Sequence, residues 1–188
     1  MGFRKGPFLM KKYFASTPTA EVGGQTILGY TNCLQAAEIE PILARHNLHD
    51  VVPEGWYPLQ MMLDVLHDIA DSQQNVSESL VSIGIKVMEL IDLPPSINSI
   101  ETVLNSLGAV YHIYHRNVTE VGWTIKTLGR GHLQVAHDGP YPDDLCYGIV
   151  WGGVKRFKPQ SATFQVKPVL SASPDDPCVF DVEWNSAN

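Results

Sequence analysis

The chain has 188 residues, 44 % of them hydrophobic and 18 % charged, with a formal net charge of −7. That composition belongs to a globular protein long enough to bury a real core, and it excludes an intrinsically disordered chain. The acidic balance, with no Lys/Arg-rich face, argues against nucleic acid as a partner, and no apolar run approaches the ~20 residues of a membrane span.

Residues 1–24 carry no sustained period, include Ser16-Thr17-Pro18-Thr19 and Gly23-Gly24, and are expected to form a tail, extended or docked on a neighbour. No signal peptide is expected at Met1 to Tyr13, because no apolar core leads to a small-residue cleavage site. One domain is expected over 25–188. Thr26 to Tyr30 suits a short strand, Thr31 or Asn32 the cap of a helix through Ile39, and Pro41 the start of a second short helix. Trp56-Tyr57-Pro58 is expected to open a strong helix whose Leu59, Met62, Leu63, Leu66, Ile69 and Ala70 form one buried stripe. A second helix begins near Ser77 and stops at Pro94-Pro95, and a third runs from Ser99 to about Arg116. Leu107, Val110, Tyr111 and Tyr114 share the core face of that third helix. Ser99 starts it without a full capping box.

From Val121 onward the pattern changes to strands. Gly122 to Leu128 alternates, Gly129-Arg130-Gly131 signals a hairpin turn, and His132 to His137 alternates again. A Gly-rich helix follows from Asp143 to about Phe157, then two more strand-like runs ending at Trp184. The fold class expected is α+β: N-terminal helices packed on a four-stranded antiparallel sheet, with a helix between its two hairpins. In the Gly-rich helix, Gly148, Gly152 and Gly153 share a face that another backbone must approach, and the sheet is the expected neighbour. Tyr147 and Trp151 then form an aromatic face to be covered by the upstream helices, a second subunit or a ligand.

This order of elements, with Pro140-Tyr141-Pro142 before the Gly-rich helix and Cys178-Val179-Phe180-Asp181-Val182-Glu183-Trp184 as last strand, resembles a known superfamily. Its members are the haem nitric-oxide/oxygen-binding (H-NOX) sensors, the bacterial vinyl-reductase-type hydrocarbon-binding domains and the TRAPP tethering subunits. The resemblance spans Gly29 to Trp184 and rests further on Cys146, Gly148, Gly152 and Phe180. The haem branch implies an iron-ligating histidine around Glu101 to Asn105 and a Tyr-x-Ser-x-Arg motif where this chain reads Val135-Ala136-His137-Asp138-Gly139; both are missing, so haem is not expected. The vinyl-reductase-like branch implies three cysteines. Cys146 and Cys178 match the outer two, and Val169-Leu170 stands at the middle position. What the resemblance leaves is a scaffold that holds a hydrophobic ligand between helices and sheet.

The odd number and wide spacing of Cys33, Cys146 and Cys178 suit reduced thiols in a cytoplasmic protein. Cys146 has acidic sequence neighbours in Asp143 and Asp144, the wrong sign for an activated thiol. His112 and His115 sit three apart on the expected helix, and with His132 and Cys146 they form the one set worth inspecting for a metal. Arg116 and Arg156, near helix ends, are the partners expected for an anionic head group.

The sequence thus points to a non-catalytic sensing or binding domain for an apolar small molecule, with no cofactor. The expected pocket includes Trp56, Leu63, Tyr111, Tyr114, Trp123, Ile125, Leu133, Val135, Arg116 and Arg156. A homodimer through Tyr147 and Trp151, and a signalling partner protein, complete the reading. The alternatives are an assembly module acting through protein contacts, or a haem- or metal-binding sensor using His112 and His115.

Overall fold

The computed structural model describes residues 12–72, 76–173 and 176–185, with side chains described outside 72–79. Its elements follow in the order β1 (Glu21–Gly23), α1 (Gly24–Thr31), α2 (Ala36–Arg45), β2 (Trp56–Pro58), α3 (Leu59–Ser72), α4 (Val76–Leu90) and α5 (Ile100–Tyr114). There follow β3 (His115–Arg116), β4 (Trp123–Gly129), β5 (His132–His137), α6 (Asp143–Phe157), β6 (Thr163–Val169) and β7 (Cys178–Asn185). The expected α+β architecture is the observed one: β4, β5, β7 and β6 form a wholly antiparallel four-stranded sheet, with α6 between its hairpins. No helix among the described residues is long and apolar enough to cross a membrane.

Period-two alternation places Leu133 and Val135 of β5 on one face with Phe180 and Val182 of β7, and the register confirms the rows, with Val135 opposite Phe180 and Leu133 opposite Val182. The hairpin between β4 and β5 turns at Gly131, whose φ of 69° suits the residue without a Cβ.

Several local expectations are corrected. Residues 1–11 of the expected tail lie outside the described residues, and within 12–24 an extended segment is built into the fold. β1 is the central strand of a second, three-stranded sheet in the order β2-β1-β3, and Ala20 and Val22 are fully buried. Trp56-Tyr57-Pro58 is the edge strand β2 of that sheet, and its helix begins only at Leu59. Thr26 to Tyr30 lies inside helix α1, and Pro41 lies within α2 instead of starting a helix. The Ser99 start of α5 is a full capping box: Thr102 N–H donates to Ser99 Oγ, and Ser99 N–H donates back to Thr102 Oγ1. A threonine does there what glutamate does in the usual motif.

The glycine face of α6 meets a helix, not the sheet. A Cβ at Gly148 would fall 2.2 Å from the Val81 carbonyl oxygen, one at Gly152 would fall 2.9 Å from Ile85 Cα, and one at Gly84 would fall 2.4 Å from the Leu145 carbonyl oxygen. Small residues on both partners let α4 and α6 approach backbone to backbone. The bulky face of α6 then covers the sheet, with the Tyr147 ring 5.9 Å from Phe180 and Trp151 5.5 Å from Phe164. Aromatic rings span the wider gap between helix and sheet, which glycines would leave open.

Candidate functional site

Helix α5 carries Leu107, Val110, Tyr111 and Tyr114 on one face by the three- and four-residue steps of a helix. That face does not close against its neighbours. It lines a cavity of about 510 Å³, walled on other sides by Gln25, Thr26 and Tyr30 of α1, Val87, Met88 and Ile91 at the end of α4, Trp123 of β4 and Ile149 of α6. A volume of this size suits a small-molecule site, as does a wall that is mostly apolar and aromatic with few polar groups.

Tyr111 and His115 of this wall belong to a network of rings. Tyr111 stacks on His115 with centroids 4.0 Å apart, and Tyr141 lies edge-on to both. The Tyr111 hydroxyl donates to Glu120. Both His115 nitrogens are engaged, Nδ1 with the Tyr111 carbonyl at 2.8 Å and Nε2 with the Tyr141 hydroxyl at 2.7 Å. Burial pushes His115 down to about 4, against the opposing pull of its bond to the Tyr111 carbonyl, so the ring is neutral at pH 7. Burial likewise pushes the Tyr30, Tyr111 and Tyr141 phenols up, and they stay protonated.

Of the residues singled out in the sequence, Tyr111, Tyr114 and Trp123 meet at this cavity. Leu63 is fully buried in the core, and Leu133 and Val135 lie in the sheet, with Val135 between Ile125 of β4 and Phe180 of β7. Trp56 sits on the small sheet with the Arg116 guanidinium 4.3 Å over its ring, and Arg116 donates to Glu21 at 2.6 Å. Arg156 donates to the Met88 and Ile91 carbonyls at 2.8 Å each, holding the end of α4. Neither arginine lines the cavity, because each is committed to a structural partner. Gln25, Tyr30 and Ile149, which do line it, were missed; Tyr30 was hidden by reading its helix as a strand.

The candidate metal set does not assemble. His112 bonds the Val121 carbonyl on the surface, His115 is spent as above, and His132 stands opposite Glu183 across the β5–β7 pair. A different set does. His137, Cys146 and Cys178 are all buried, with ligand atoms within 4.8 Å of one another. The β5–β7 register puts His137 beside Cys178, and α6 brings Cys146 across them. Such a set could fill three positions around Zn²⁺. The acidic setting expected around Cys146 is altered by Lys12, whose ammonium pairs with Asp143 at 2.9 Å. Burial works to lower Lys12, but Cys178, Cys146 and Asp143 outweigh it and raise its pKa. Burial and Cys178 hold the Cys146 thiol high, with Lys12 opposing.

No family model and no curated protein matches the chain. Solved structures do. An H-NOX protein from S. oneidensis in the Fe(II)NO state aligns over 87 % of this chain and 99 % of its own, with a TM-score of 0.66 at 13 % identity. Fe(II) unliganded H-NOX from K. algicida covers 88 % and 97 % at 0.66 and 11 %, and a mutant of T. tengcongensis H-NOX covers 87 % and 95 % at 0.65 and 13 %. The chain therefore has an H-NOX-like fold.

A haem would need an axial ligand and cations for its carboxylates. Among the described lining residues the imidazole is His115, with both nitrogens bonded, and no lysine or arginine is present. These residues fit a haem poorly.

Proposed function

We propose that this chain is a non-catalytic binding or sensing domain that takes an apolar small molecule, not haem, into the cavity between α1, α4, α5 and β4. The observation that carries the reading is the 510 Å³ cavity itself, walled by Tyr30, Leu107, Tyr111, Trp123 and Ile149 inside an H-NOX-like fold. The committed nitrogens of His115 and the structural roles of Arg116 and Arg156 support an organic ligand over haem. We include in the reading a homodimer, through the exposed edges left on Tyr147 and Trp151, and a signalling partner that responds to occupancy.

Native mass spectrometry of the purified protein, with an absorption spectrum and denaturing extraction, tests this directly. An apolar compound released on denaturation from dimer-sized particles is the expected result. A Soret band that survives gel filtration overturns the haem-free reading, and an empty oligomer that binds no apolar probe turns it toward an assembly module.

The buried His137–Cys146–Cys178 cluster favours a second reading, in which a bound zinc ion tunes the domain. Elemental analysis after purification without added metal would then give one zinc per chain, lost in Cys146→Ser.

A further inference from the structure

The polar atoms of the cavity wall carry more than a volume does. Tyr30 lines the cavity and is 7 % exposed, yet its hydroxyl has no hydrogen-bond partner among the described residues. Among described side-chain nitrogens and oxygens sealed from solvent, His132 Nε2 alone lacks a bond, so the Tyr30 oxygen is reachable, and the space beside its ring is the cavity. The indole N–H of Trp123, on a neighbouring wall, is likewise without a partner. Buried phenols and indoles ordinarily find partners, and a group left without one carries a desolvation cost. Two other hydrogen-bonding groups of the wall are spent, Tyr111 on Glu120 and His115 on Tyr111 and Tyr141, while Gln25, Thr26 and Tyr114 line it with Tyr30 but are less deeply buried.

Charge narrows the choice. Asp92 is the acidic residue on the wall, no lysine or arginine lines it among the described residues, and Arg156 is held by two backbone carbonyls behind it. An anionic ligand would enter without a counter-charge, which is strongly unfavourable in an apolar site. Rings suit the rest of the wall, since Tyr30, Tyr111, Tyr114 and Trp123 offer faces and edges for offset or edge-on contact.

Resting on the reading of the cavity as a ligand site, we propose that its ligand is an uncharged ring compound with one carbonyl-type oxygen, which accepts from the Tyr30 hydroxyl. Three probes of nearly equal shape separate the possibilities: 2-acetylnaphthalene has the neutral acceptor, 2-ethylnaphthalene lacks it, and 2-naphthoate carries a charge in its place. Affinities are measured by equilibrium dialysis against the full chain and against Tyr30→Phe. The ketone is expected to bind about tenfold more tightly than the ethyl compound, the worth of one hydrogen bond in a buried site, and naphthoate more weakly than the ketone. Tyr30→Phe is expected to erase the ketone's advantage while leaving 2-ethylnaphthalene within about twofold of its original affinity. Equal binding of ketone and ethyl compound by the unaltered chain overturns the proposal but leaves the cavity a ligand site, with water serving Tyr30. Preference for naphthoate, or a ketone advantage that survives Tyr30→Phe, overturns it too. If neither neutral probe binds at all, the cavity reading falls and this proposal with it. Equal binding of ketone and ethyl compound, or preference for naphthoate, overturns the proposal on the unaltered chain alone, so it stays falsifiable even if the variant fails to fold.

Discussion

His115 shows how one residue couples the site to acidity. Its folded pKa of about 4 lies below the ordinary 6.5 of histidine because burial disfavours the charged ring. Between those values the unfolded chain binds a proton that the folded chain does not, so stability falls as pH drops from 6.5 toward 4. The loss reaches about 3 kcal/mol once the pH is below both values. Urea unfolding of the parent and of His115→Phe at pH 7 and pH 4.5 checks this: the parent should lose stability across the interval, and the variant should lose distinctly less. Glu120 adds its own loss lower down: burial works to raise its carboxyl, but hydrogen bonds from Ser16, Tyr111 and the backbone of Glu120 and Thr119 together hold it below the usual range. Tyr111→Phe, which removes the donor to Glu120, should cost about 1–2 kcal/mol in the same assay at pH 7. The sequence marked His112 and His115 as a helical pair, but α5 ends at Tyr114, and His115 already has strand dihedrals of −129° and 140°. One residue beyond a helix end, the three-residue rule no longer places two side chains together. That boundary separates a predicted metal pair from one surface and one buried histidine.

At the scale of elements, the contact between α4 and α6 depends on what is missing from Gly84 and Gly148. Replacing either with valine drives a branched side chain into a facing backbone carbonyl, which cannot step aside as a flexible side chain would. Each change should cost about 3 kcal/mol and lower Tm by about 6–12 °C in a circular-dichroism melt. Ala at Trp151, which loses ring contact with Phe164 on a partly exposed face, should cost less. The strands and turn of the large sheet were legible because alternation with Gly-rich punctuation is a local signal. The partner of the glycine face was not: a sequence shows that some backbone comes close, and tertiary packing alone decides which. The same limit hid β1 and β2, since strands of three residues carry too few positions for a period to appear.

For the molecule as a whole, occupancy and stability are linked. A neutral aromatic probe at a hundred times its dissociation constant should stabilise the folded chain by about 2.7 kcal/mol and raise Tm by about 5–10 °C. Leu107→Trp, which pushes an indole from α5 into the cavity, should abolish that shift in differential scanning fluorimetry. The sequence led to an expected pocket between helices and sheet, and three of the residues expected there, Tyr111, Tyr114 and Trp123, do line the cavity. It could not show that α1 and the end of α4 supply the far side, since no short-range pattern records which distant segments fail to touch. His137 was overlooked for a related reason. Its meeting with Cys146 and Cys178 depends on strand register and on where α6 crosses, both of which are long-range facts.

The central place of β1 in the small sheet has a consequence for how the chain acquires its shape. β1 is synthesised before its partners β2 and β3, and the Glu21–Arg116 ion pair closes a sequence separation of 95 residues. Until β3 has been made, the buried Val22 has nothing to sit against on that side. Closing so long a loop is slow, and an unpaired strand is meanwhile free to associate with other chains. Refolding should therefore show a late phase in which this strand docks, and Val22→Asp should trap the chain before it, with the helices formed and the small sheet open.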